Sequence, residues 1–288
     1  MPARHRRGVL VGTVLAVIVT IALMTTATWA PTSPDGMVAS AATAGPETPQ
    51  PETPTSSPPA PGPATRLAPT GPVRLVGLGD SVMSGTNCDC DGVTDELAES
   101  LHATWKVPVI QANLGDPGAT TDDLLEDLTH DRYTIGAVRH ADVVVVIIGA
   151  NDVTDDLDVW RRTGCDRSCY LPHVRQMRSR LGRILARITD LEGNRPFGLV
   201  VDGYWNILTD GHTALRQGGM PQLSWSRAVT ASVDSAIKDA AGAAGAHYVE
   251  LRSVFSTAPD PLLADDGDHP NAAGVKAIAR ANLRALRG

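Results

Sequence analysis

The chain is poor in the side chains that stack on bases. It has 2 Phe and 4 Tyr among 288 residues. It also lacks an excess of positive charge: 25 Lys and Arg stand against 32 Asp and Glu, a formal charge of −7. An acidic chain with few aromatics is badly suited to gripping a phosphate backbone, so no nucleic-acid partner is expected. No internal repeat is visible, and no Gly-x-Ser-x-Gly elbow surrounds any serine, which excludes the usual α/β-hydrolase turn. Metal-binding patterns are missing too. Cys88-Asp89-Cys90-Asp91 groups four potential ligands, but neither a Cys-x-x-Cys pair nor an EF-hand loop accompanies it. Neither a metal nor another cofactor is expected.

Hydrophobic residues, in contrast, make up 42% and charged residues 20%. That composition can build a packed core and rules out disorder throughout. Residues 1–30 read as a signal peptide or signal anchor. Arg4, Arg6 and Arg7 precede an uncharged run rich in Val, Leu, Ile and Ala from Gly8 to Met24. The uncharged stretch continues to Pro34, long enough to permit one membrane span and so an N-terminal membrane anchor. Residues 31–70 read as a disordered linker, since 12 of the 21 prolines fall between Pro31 and Pro72 among Thr, Ser, Ala and Gly. The folded domain is expected over 71–288, with 21 basic against 29 acidic residues.

Within that domain short apolar runs alternate with amphipathic ones. Strands are predicted at 73–78, 107–112, 142–148, 197–201 and 247–251. The third, with Val143 to Val146 followed by Ile147 and Ile148, is apolar on both faces, as a central parallel strand must be. Helical stripes run from Val174 to Leu191, from Trp225 to Ala240, and from Val275 to Leu286 with Asn271 as N-cap. Shorter helices are predicted over 94–105 and 121–128. The alternation calls for an α/β fold, a parallel five-stranded sheet covered by helices on both faces.

In such sheets sites form beyond the carboxyl ends of the strands. There the chain carries Gly79-Asp80-Ser81 after the first strand and a glycine-rich loop ending in Gly118 after the second. Gly149-Ala150-Asn151-Asp152 follows the third, and Asp266-Gly267-Asp268-His269 lies near the C-terminus. Each block alone is ordinary turn sequence. Their order, each on the same edge of one sheet, carries the signal.

These four blocks resemble the SGNH hydrolase superfamily, the GDSL esterases and lipases, over Gly71 to Gly288. The resemblance implies a three-layer, flavodoxin-like α/β/α fold and ester hydrolysis without a metal. It makes Ser81 the nucleophile, His269 the base and Asp266 the acid that orients it. The oxyanion donors would be the N–H groups of Ser81 and Gly118 and the Asn151 side chain. The residue chemistry agrees. A serine hydroxyl needs an adjacent base, an imidazole titrates near neutrality, and a carboxylate three residues away can hold its tautomer. Asp265 and Asp268 are rivals to Asp266, and the family spacing selects Asp266. Asp80 and Asp152 are expected to brace loops rather than react.

The implied function is a secreted or cell-surface carboxylic ester hydrolase, acting as a monomer on a lipid, an acylated glycan or a small acyl ester. Transfer of the acyl group to a sugar hydroxyl, deacetylation of an envelope glycan, or a non-catalytic wall-binding module are the alternatives. Export favours disulfides. Cys88 and Cys90 follow the first strand; Cys165 and Cys169 follow the third, in an excursion over 154–170 that contains Trp160 and is a candidate cleft wall. Neighbouring first and third strands would set these loops side by side, so two bonds between the loops are expected. Such bonds would hold the nucleophile and Asn loops together.

Overall fold

The computed structural model describes residues 67–193 and 195–288. The expected signal peptide or anchor, and the expected linker up to residue 66, lie outside the described residues. No helix among the described residues is long and apolar enough to cross a membrane.

Among the described residues five strands form one sheet: β1 Val73–Gly79, β2 Val109–Gly115, β3 Val143–Ile147, β4 Gly198–Asp202 and β5 His247–Val249. Their order is β2-β1-β3-β4-β5 and every pairing is parallel. This is the expected flavodoxin-like order. The second strand begins two residues later than predicted, because Pro108 has no N–H to give the ladder; its carbonyl still accepts from Val73 N at 2.9 Å. Each residue of β3 is fully buried, and burying a valine or isoleucine side chain is worth about 1.5–3 kcal/mol. The doubly apolar run is thus what places this strand at the centre.

Among the described residues ten α-helices connect and cover the strands. They are α1 Ser81–Ser84, α2 Val93–Trp105, α3 Thr121–His130, α4 Arg132–Arg139, α5 Asp156–Thr163, α6 Arg167–Glu192, α7 Gly211–Gln217, α8 Gly219–Ala243, α9 Arg252–Phe255 and α10 Ala272–Arg287. The strand order reverses direction at β1. Right-handed crossovers then put α2 on one face and the connections through α3, α4, α6 and α8 on the other. Packing follows this division, α2 against α10 and α6 against α3, α4 and α8. The predicted stripes are the buried faces of α6 and α8. Asn271 caps α10, accepting from Ala273 N at 2.9 Å and Gly274 N at 3.1 Å.

The cysteines correct an expectation. The bonds are Cys88–Cys90 and Cys165–Cys169, each within its own loop rather than between loops. Two turns explain this. Asp89 takes a left-handed φ of 52°, which folds the chain back and brings the Cα atoms of Cys88 and Cys90 to 5.1 Å, inside the usual disulfide range. Cys165 and Cys169 are one helical turn apart where α6 begins, with Cα atoms at 6.1 Å. The excursion after β3 is α5, docked on α8 by stacking of Trp160 on Trp225 at 5.4 Å and by Arg161 donating to Gln222.

Candidate active site

The site is assembled where β1 ends. Gly79 has φ +152°, and a Cβ there would collide with the Ile147 carbonyl oxygen of β3. Only glycine lets the chain pass that close to its neighbour strand. Asp80 follows as N-cap of α1, its Oδ1 accepting from Val82 N at 3.0 Å. Ser81 is therefore the first residue of a short helix, and half-buried.

His269 reaches Ser81 from the loop before α10. Its Nε2 lies 2.9 Å from Ser81 Oγ and its Nδ1 lies 2.7 Å from Asp266 Oδ2. Asp266 Oδ1 accepts the backbone N–H groups of Asp268 at 2.9 Å and His269 at 3.0 Å. Asn87 Nδ2 donates to Asp266 Oδ2 at 2.6 Å. Partial burial pushes the Asp266 carboxyl up, but these donors outweigh it and hold it at about 2. An acceptor this firmly ionised keeps the imidazole proton on Nδ1, leaving Nε2 free to accept from Ser81. Of the three rival aspartates, Asp266 is the one on the ring nitrogen.

The Gly118 and Asn151 loops are fastened to each other. Asn151 Nδ2 donates to Ala119 O at 2.9 Å. Asp152 accepts Thr121 N at 2.9 Å and Thr121 Oγ1 at 2.6 Å. Burial raises the Asp152 carboxyl, while the Thr121 bonds and Arg180 pull it down. An amide carries two N–H donors, so Asn151 retains one beyond its bond to Ala119. Gly118 has φ +90° and open space where a Cβ would be. Among the described residues, the N–H groups of Ser81 and Gly118 meet no protein acceptor. Donors left free in this way are what an oxyanion requires.

Asp80 and Asp152 brace loops, as expected from the sequence, but Asp80 does so through a residue that reading missed. Tyr204, two residues beyond β4 and buried, donates its hydroxyl to Asp80 Oδ2 at 2.5 Å. The same hydroxyl accepts from Ala150 N at 3.4 Å. It ties the serine loop to the Asn151 loop. Its place after a strand end is the signal that could have found it. Burial pushes Asp80 up to about 6, against the bonds from Tyr204 and Val82.

A hydroxyl on an imidazole on a carboxylate, at the carboxyl edge of a parallel sheet and beside unpaired N–H groups, is the equipment of acyl transfer. Fold and sequence together define an acyl hydrolase. The chain belongs to the GDSL-like lipase/acylhydrolase family, whose family model matches residues 78–277. Solved structures share the fold. A lipase, Lip_vut3 from a goat rumen metagenome, superposes with a TM-score of 0.63 at 17% identity, covering 75% of this chain and 98% of that one. The acetylxylan esterase Axe2 from Geobacillus stearothermophilus gives 0.52 at 20%, covering 74% and 94%. A lipase/acylhydrolase from Enterococcus faecalis gives 0.51 at 20%, covering 74% and 95%. At these identities the likeness is one of fold. No curated protein sequence matches the chain.

Proposed function

We propose that the protein is a serine ester hydrolase that is exported or tethered at the cell surface and works through an acyl-enzyme. The observation that carries the reading is the unbroken line Ser81–His269–Asp266, with bonds of 2.9 and 2.7 Å. Ser81 Oγ attacks the ester carbonyl carbon as His269 Nε2 takes its proton. The tetrahedral oxyanion is held by Ser81 N–H, Gly118 N–H and the free N–H of Asn151. Collapse breaks the carbon–oxygen bond of the alcohol, which leaves with the proton returned by His269. Water, deprotonated by the same ring, then releases the acid and restores Ser81. The basic and apolar start of the chain and its proline-rich spacer support the location.

The test is labelling of the full chain with a fluorophosphonate, followed by peptide mapping. An adduct on Ser81, lost in Ser81→Ala, is the expected result. No adduct, or one on another residue, would remove Ser81 as nucleophile. A chain-length series of 4-nitrophenyl esters beside an acetylated glycan then separates lipid, small-ester and glycan substrates. Fractionation of cells producing the full chain tests location, and recovery only from the cytosol would refute export.

A further inference from the structure

Asn87 lies outside the four motif blocks, yet it bonds the acid of the triad. Its Nδ2 and the His269 ring donate to the same oxygen, Asp266 Oδ2, at 2.6 and 2.7 Å. The other oxygen, Oδ1, is held by two backbone N–H groups. Without Asn87, one of the four donors on this carboxylate is gone, and Oδ2 is held by the ring alone.

The chain takes unusual measures to aim this amide. Asn87 has φ 58°, a conformation that asparagine tolerates better than most side chains do. The turn leading to it is closed by Thr86 N donating to Ser81 O at 3.0 Å and by the Ser84 and Thr86 hydroxyls at 2.9 Å. The residue after it, Cys88, is buried and closed onto Cys90. The Cys88–Cys90 ring thus anchors the far side of the turn whose near side begins at the nucleophile.

We infer that Asn87 is a positioning residue, which fixes the Asp266 carboxylate and through it the His269 ring, and that the Cys88–Cys90 ring holds Asn87 in place. The inference rests on the reading of Ser81, His269 and Asp266 given above. It gives the local disulfide a part in turnover although that bond crosses between no loops. It also couples the serine block to the acid–base block at a second point, 179 residues apart in sequence.

Asn87→Gly keeps the left-handed turn and removes only the amide. With 4-nitrophenyl acetate, kcat should fall about tenfold with KM nearly unchanged, the size expected for one bond to a charged group. The thermal midpoint should fall by no more than a few degrees, as the loss of one exposed bond predicts. Asn87→Asp places a second carboxylate beside Asp266, so the acid limb of its kcat profile should move to higher pH, which reports that side chain 87 faces the triad rather than solvent. The Cys88→Ser/Cys90→Ser pair should lower kcat in the same way, and adding Asn87→Gly to it should cost little more. Wild-type kcat in Asn87→Gly would overturn the assignment, and additive losses in the triple variant would overturn the role of the ring. Fluorophosphonate labelling of the wild type separates the two levels. An adduct at Ser81 with unaltered Asn87→Gly kinetics refutes the positioning role alone, whereas no adduct at Ser81 refutes it together with the triad.

Discussion

Asp80 offers the sharpest test of the physical reasoning, because the fold spends stability on it. Its carboxyl is buried beside Ser81 and pushed up from 3.8 to about 6, burial outweighing the bonds from Tyr204 and Val82. At about 1.4 kcal/mol per pH unit, keeping it ionised costs the folded state about 3 kcal/mol. The sign follows from proton binding. Between 3.8 and 6 the folded chain holds the Asp80 proton while the unfolded chain has released it, so this group's contribution to stability falls as pH rises through that window. Asp80→Asn imitates the neutral form. Its oxygen can still accept from Val82 N, and its amide can donate to the Tyr204 oxygen. Urea unfolding should therefore find Asp80→Asn more stable than wild type at pH 8, by up to about 3 kcal/mol, and close to it at pH 4. The difference between the two proteins isolates this group, since Asp234 and Glu192, both pushed by burial to about 7, are present in each. A constant stability difference from pH 4 to 8, or a variant less stable at pH 8, would refute the assignment of Asp80 as a costly buried charge.

Ser81→Ala and His269→Ala should each abolish most ester turnover, and the double variant should be no slower than either single one, because they serve one step; a much slower double variant would contradict a shared step. Asp266→Asn should lower kcat by up to about ten-thousandfold by favouring the wrong imidazole tautomer, with near-wild-type kcat as the refuting result. Asn151→Ala should cost about 2.7–4 kcal/mol of transition-state stabilisation, read as kcat/KM, and no change would remove it from the oxyanion site. Cys165→Ser with Cys169→Ser should lose about 2 kcal/mol in urea unfolding, the chain-entropy value for so short a loop, while kcat stays within about twofold of wild type.

What could be read in advance follows from what is local. The strands announced themselves through apolar runs whose burial decides their place, and β3 most clearly, since a run apolar on both faces has no solvent-exposed solution. The motif residues were readable because each sits just past a strand or, for Asp266 and His269, within three positions of its partner. Tyr204 obeyed the same strand-end rule but carried no motif around it, and its partner Asp80 is 124 residues away. Asn87 was beyond reach for a second reason. Its role depends on a left-handed backbone at a non-glycine residue, and no glycine marks the position. The disulfide pairing failed on the same point. Adjacent strands do bring β1 and β3 together, but pairing within a loop is decided by the few dihedrals between two cysteines, and Asp89 and the first turn of α6 settle those before any long-range approach matters. The bonds that do join the loops are polar: Tyr204 between Asp80 and Ala150, Asn151 to Ala119, Asp152 to Thr121, Asn87 to Asp266. Each leaves the Ser81 hydroxyl and the free N–H groups untouched while fixing the backbone on either side of them. On the proposed reading, the geometry of the site is therefore carried in part by residues outside the motif blocks, Tyr204 and Asn87 among them, and at Asn87 a substitution would alter rate before it altered the fold.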